Sequence, residues 1–217
     1  PTPSPKPPRP LPPPPPSPSP LPPPPRKAPS APKAPTVPRS PRPSKPSGND
    51  ILAKKFPFSS CNAKDLTMSP YELSSIVGPV NSTETYHTYC FRIEASGAAV
   101  DGASPCAKMA INKIHFIVNR ACAEEVPKAI RSATINGEAV FPFYSLKTWN
   151  GEVYGLMSVS SLTNTFPVTP AGGLYMCVNM DQSSTCSAPS GLCYGDSCVY
   201  TLMNADFTCC PVGQAPF

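Results

Sequence analysis

The chain has 217 residues, 35 of them Pro and 10 of them Cys, with 18 Lys and Arg against 13 Asp and Glu. No stretch approaches the roughly 20 consecutive apolar residues that a helix needs to cross a bilayer, which excludes an integral helical membrane protein. Residues 1–47 hold 24 of the prolines and carry a charge of +8 with no acid, whereas the remainder carries −3, so two physically different parts are joined. The first begins inside a Pro tract and shows no leader peptide; if the protein is secreted, the leader has been removed or was not included.

Residues 1–47 are expected to form a polyproline II stalk. Proline fixes φ and lacks the N–H that helix and sheet need. At about 3.1 Å per residue such a segment could reach on the order of 145 Å when fully extended. Three uses compete for it. Arg9-Pro10-Leu11-Pro12-Pro13 has the form of a ligand for an aromatic groove, but cytosolic readers of that kind rarely share a compartment with a ten-Cys body. Nucleic-acid binding would draw on the eight positive charges, yet the segment has no aromatic side chain on which bases could stack. The reading favoured here is a secreted, glycosylated stalk, because Ser and Thr are mixed with the Pro. Pro12, Pro13, Pro14, Pro15, Pro16, Ser17, Pro18, Ser19, Pro20, Pro22, Pro23, Pro24 and Pro25 are its candidate positions for hydroxylation and O-glycosylation. Gly48 opens a hinge over residues 48–55, and residues 56–217 form a globular head.

Within the head, Ser69-Pro70-Tyr71-Glu72 reads as a helix start with a capping box, and Gly78-Pro79 as its end. Asn81-Ser82-Thr83 is an N-glycosylation acceptor expected in the loop that follows. Strands are expected over Tyr86 to Glu94, Lys113 to Asn119, Val153 to Leu162, Leu174 to Met180 and Cys198 to Asn204. In the second of these, Ile114, Phe116 and Val118 would line one face, and His115 and Ile117 the other. Asn136-Gly137 and Asn150-Gly151 have the composition of tight hairpin turns, since both positions must take positive φ. A short helix is expected over Ala123 to Arg131, weakened by Pro127. The simplest packing is a mainly antiparallel β-sandwich with one or two short helices.

All ten cysteines, Cys61, Cys90, Cys106, Cys122, Cys177, Cys186, Cys193, Cys198, Cys209 and Cys210, lie in the head. An even count at this density points to disulfides in an oxidising compartment. A zinc site finds little support: no two cysteines are two residues apart, and His87 and His115 are the only histidines. Adjacent cysteines rarely bond to each other, so Cys209 and Cys210 should staple two different segments, and Cys193 with Cys198 could close a small loop. The full connectivity does not follow from the sequence.

No phosphate loop, zinc-protease helix or nucleophile elbow is present, no cofactor is implied, and the chain is not expected to be an enzyme. Glu94, Glu124, Glu125 and Asp206 could converge as a carboxylate pair for sugar hydrolysis, but nothing selects them. Phe143, Tyr144 and Trp149 could form an aromatic surface for sugar rings or for a proline rod; a core role for the only Trp is an equal alternative.

Several stretches together resemble one family. Phe56-Pro57-Phe58 before Cys61, Ser69-Pro70-Tyr71 and Tyr89-Cys90-Phe91-Arg92-Ile93 are similar to the opening of a pherophorin domain from the extracellular matrix of volvocine green algae. Cys106 before Asn112-Lys113-Ile114, Ile135-Asn136-Gly137, Tyr175-Met176-Cys177-Val178, Ser197-Cys198-Val199-Tyr200 and the closing Cys209-Cys210-Pro211 extend the likeness. The resemblance implies a self-assembling extracellular structural glycoprotein of matrix, cell wall or a surface fibre; one chain's stalk lying in an aromatic groove of the next chain's head would give a head-to-tail filament, with other matrix glycoproteins or polysaccharide as further partners. The alternative is a carbohydrate-binding module on a stiff stalk. Family members usually carry a further Cys at the positions of Ser59 and Ala107, which the resemblance implies are paired in those relatives.

Overall fold

The structure is a computed structural model that describes residues 52, 54–97, 100–162 and 173–217. The expected stalk and most of the expected hinge lie outside the described residues. The described chain folds as two antiparallel β-sheets with few short helices and five disulfides. The first sheet contains β1 (Tyr71–Leu73), β2 (Val77–Ser82), β3 (Tyr86–Ala95), β5 (Ile130–Ile135), β6 (Glu138–Val140) and β9 (Leu174–Asp181). Its order is β1-β3-β9-β5-β6, with β2 also paired to β3. The second contains β4 (Lys113–Val118), β7 (Phe143–Trp149), β8 (Glu152–Val159), β10 (Cys198–Met203) and β11 (Val212–Ala215), in the order β11-β10-β4-β8-β7.

The core lies between the sheets, where alternate side chains of one meet those of the other. Phe91, Ile93, Met176 and Val178 of the first sheet and Ile114, Phe116, Met157, Tyr200 and Leu202 of the second belong to one buried cluster. Phe91 and Phe116 meet edge to face with ring centroids 5.4 Å apart. The space left around Phe91, Phe116 and Met157 amounts to about 20 Å³, room for a single water, so no ligand is buried there.

The second sheet is also buried on its other face. Ile117, Tyr154, Leu156, Val199 and Val212 pack against Leu52 and Phe56 in a second cluster. The segment carrying Phe56 is fastened in place by Lys64, whose ammonium donates to the carbonyls of Lys55, Phe56 and Ser59 at 3.0 to 3.1 Å. Leu52, from the stretch read as a hinge, is thus a core side chain.

The expected helix from Ser69 does not form. Ser69 Oγ accepts from the N–H of Tyr71 at 3.1 Å, a local turn that offers the backbone an alternative to a helix. Tyr71 and Leu73 then alternate into the core in β1, paired with Ala95 and Ile93 of β3. The Leu73 N–H reaches Tyr200 Oη at 2.9 Å. Cross-strand pairing and period-two burial outweigh a capping pattern that has only two turns to stabilise. The chain continues into β2, so Asn81 lies on an exposed edge strand opposite Thr88 and not in a loop. The helix expected at Ala123 to Arg131 is shorter and earlier, α1 (Arg120–Glu124). Pro127 disfavours helical geometry at Val126, and Arg131 already belongs to β5.

Both two-residue hairpins are present. Asn136 and Gly137 take φ of 50° and 86° between β5 and β6; Asn150 and Gly151 take 50° and 80° between β7 and β8. The disulfides link Cys61 to Cys210, Cys106 to Cys209, Cys90 to Cys177, Cys122 to Cys186 and Cys193 to Cys198. Cys209 and Cys210 therefore go to separate segments. Cys90 and Cys177 sit opposite each other on β3 and β9.

Helix α1 packs on β8 through Gly155, where an added Cβ would stand 2.8 Å from both Ala123 Cβ and Val118 Cγ2. Gly155→Val should lower the unfolding free energy by about 1–3 kcal/mol, read by denaturant titration, through overpacking of this contact.

Candidate functional site

With the interior filled, any binding site of the described residues lies on the surface. The outer face of the second sheet carries a continuous aromatic row. Phe58 stands 5.6 Å from Tyr154, and Tyr154 is 6.5 Å from Trp149 and 5.0 Å from Tyr194, between ring centroids. Glu152, at the start of β8, joins the last two tyrosines: Tyr154 Oη donates to Oε2 at 2.7 Å and Tyr194 Oη to Oε1 at 2.9 Å. The carboxylate raises the titration of Tyr194, and burial raises that of Tyr154, since both disfavour a phenolate. Glu152, Val153 and Tyr194 border an open depression of about 440 Å³ that also touches Asn119 and Arg120.

Phe143, Tyr144 and Trp149 all lie on β7, but they do not form one surface. Side chains alternate along a strand, so Phe143 and Trp149 share the outer face, about 20 Å apart, while Tyr144 faces the core. Lys128 Nζ lies 5.4 Å from the Tyr144 ring centroid, and burial, then the nearby Glu125, pushes the phenol well above its ordinary value. The aromatic row combines Trp149 with Tyr154, Tyr194 and Phe58, which come from three other segments. Only the hairpin at Asn150-Gly151, which sets Trp149 opposite Glu152, was a sequence signal for it.

A second concavity sits at one end of the first sheet, where Arg131 of β5 pairs with Asp181 of β9 beside Tyr86 and Gln182. Hydrogen bonds from Ser183, then from Arg131, hold the Asp181 carboxyl down to about 2. The four carboxylates considered for sugar hydrolysis sit in separate local interactions. Glu94 lies 3.7 Å from Arg92, Glu124 pairs with Arg120 at 2.9 Å, Glu125 accepts from Ser184, and Asp206 accepts from Thr208. His87 Nδ1 bonds Ser82 Oγ at 2.8 Å. His115 is buried, and desolvation, with Lys113 and Lys147, lowers it to about 4. Among the described residues no group of three or more His, Cys, Asp or Glu is placed to hold a metal, and no helix is long and apolar enough to cross a membrane.

A family model described as pherophorin matches residues 56–211. The chain belongs to the pherophorin family. A curated relative, Perphorin-2 of Volvox carteri, is 26% identical over 168 residues, covering 74% of this chain and 33% of the relative. The chain thus spans about a third of the length of that protein. The match takes in every strand of the two sheets except β11, and every cysteine.

Two outcomes test this electrostatic picture. His115 is depressed from its ordinary 6.5 to about 4, so its neutral form supports the fold fully above pH 6.5, and that contribution is lost as pH falls toward 4. A shift of this size corresponds to at most about 3 kcal/mol. Thermal unfolding between pH 7 and 4 should therefore be less pH-dependent in His115→Gln. For the aromatic row, Glu152→Gln should move tyrosine titration, followed by ultraviolet absorbance, toward ordinary values.

Proposed function

We propose that this chain is a building unit of an extracellular matrix, with a disulfide-bonded pherophorin head carried on a glycosylated, hydroxyproline-rich polyproline II stalk. The observation that carries this reading is the full pairing of the ten head cysteines, which a reducing cytosol would not maintain. It stands beside the family match and the concentration of proline in residues 1–47. Sugar on hydroxylated prolines would stiffen the stalk. The eight basic side chains there, set against a body of net −3, suit an arrangement in which chains associate with one another and with acidic polysaccharide.

Asn81 is a second attachment point for glycan in this reading. Asn81 and Ser82 end an exposed strand, and just beyond it the Thr83 hydroxyl accepts from the Tyr86 N–H at 3.1 Å. A bulky glycan there would prevent another chain from adding to the β2 edge.

One alternative has an observation in its favour. The half-buried Trp149 and Tyr194, packed about the buried Tyr154, with Glu152 at their margin and a depression beside Tyr194, suit a sugar ring stacked on an aromatic face. In that reading the head grips matrix polysaccharide directly, and Trp149→Ala in the full chain abolishes retention on it.

Peptide mass spectrometry of native, non-reduced protein tests the main reading. The expected result is added mass on residues 1–47 in hydroxyl and sugar steps, glycan on Asn81, and no free thiol. An unmodified Pro-rich segment together with reduced cysteines would remove the extracellular assignment.

A further inference from the structure

Among the described residues the two sheets leave four edges, and three of them are protected. The β1/β2 edge has a three-residue strand with Glu72, then Pro79 and a register shift between Val77 and Asn81. The β6 edge is three residues long and carries Glu138. Beside β11, Cys210 and Val212 donate to the carbonyls of Ala63 and Lys64 at 2.9 Å. Charge, proline, irregularity and shortness are the devices by which sheets avoid edge-to-edge pairing. The fourth edge, β7, has only one of them, the charge of Lys147. It is seven residues long, regular, and free of Pro and acid.

This edge is also where exposed apolar side chains gather. Phe143 is 68% exposed and Leu146 43%, and Phe141, two residues before the strand, is 87% exposed. The tight turn at Asn150-Gly151 makes Trp149 and Glu152 a hydrogen-bonded pair, so the ladder alternates from there. The N–H and C=O groups of Tyr144, Leu146 and Thr148 consequently point away from β8.

We propose that β7 pairs antiparallel with β7 of a second copy about a two-fold axis at Leu146, joining two second sheets into one ten-stranded sheet. The strand is self-complementary in that register. Leu146 faces Leu146 of the partner copy, with both residues presenting outward backbone groups. Phe143 faces Trp149 on the outer side, an aromatic cross-strand pair, and Lys147 faces Ser145 so that no like charges oppose. The contact is isologous and closes on itself, giving a dimer of heads. It supplies a surface for the self-association in the matrix reading and rests on that reading only to that extent.

The test is sedimentation velocity of the full, oxidised chain over a concentration series. Wild type should pass reversibly from monomer to dimer. Leu146→Lys and Leu146→Glu should each raise the dimer dissociation constant by about tenfold or more, because each sets like charges face to face on the axis. An equal mixture of the two variants should dimerise again. Hydrogen exchange in the dimer should slow at Tyr144, Leu146 and Thr148, and not at Ser145 and Lys147. A wild type that stays monomeric, single variants that associate like wild type, or a mixture that remains monomeric would each overturn the pairing. Monomeric heads on fully glycosylated protein would do so while leaving the matrix assignment standing.

Discussion

The structure depends on one constraint: the central strands of the second sheet are buried on both faces. Every residue of β10 is buried, as is β4 from Ile114 to Val118 and β8 from Tyr154 to Val159. A sheet of this kind cannot leave one side in water, so it needs two covers. One is the first sheet. The other is the short segment carrying Leu52, Phe56 and Phe58, which would have little reason to be ordered by itself. Lys64 fastens that segment through three carbonyls, and the Cys61–Cys210 disulfide ties the chain just after it to the strand pair it covers.

The described head thus opens on an apolar cover backed by a disulfide. Cys209, beside Cys210, is bonded to Cys106, so the connections before β1 and before β4 are both tied to the turn between β10 and β11. Cys122–Cys186 holds α1 to the segment after β9, and Cys193–Cys198 closes a short loop at the start of β10. Cross-links across the ends of a sandwich suit a protein that works outside the cell, where unfolding is not repaired.

The sequence carried the architecture more fully than the site. Hairpins at Asn136-Gly137 and Asn150-Gly151 were legible because few residue pairs accept two positive φ values. The alternation of Ile114, Phe116 and Val118 against His115 and Ile117 was legible because a period of two has one structural meaning. Ser69-Pro70-Tyr71-Glu72 misled, since a local capping pattern does not reveal that β3 will present a free edge to Tyr71 and Leu73. The aromatic row was only half visible. Trp149 was singled out, but its partners Phe58, Tyr154 and Tyr194 are distant in sequence, and the joining of the two tyrosines by Glu152 depends on a turn after Cys193. Tyr144, next to Phe143 in the chain, faces the other way.

The pairing of Cys209 and Cys210 tests the central claim most directly, because the double-sided burial of the second sheet and the extracellular setting both run through it. Partial reduction and alkylation of the native protein, followed by peptide mapping, would assign it. Cys61 should be found bonded to Cys210 and Cys106 to Cys209, with no free thiol. A bond between Cys209 and Cys210, or a free thiol at Cys61, would contradict the account.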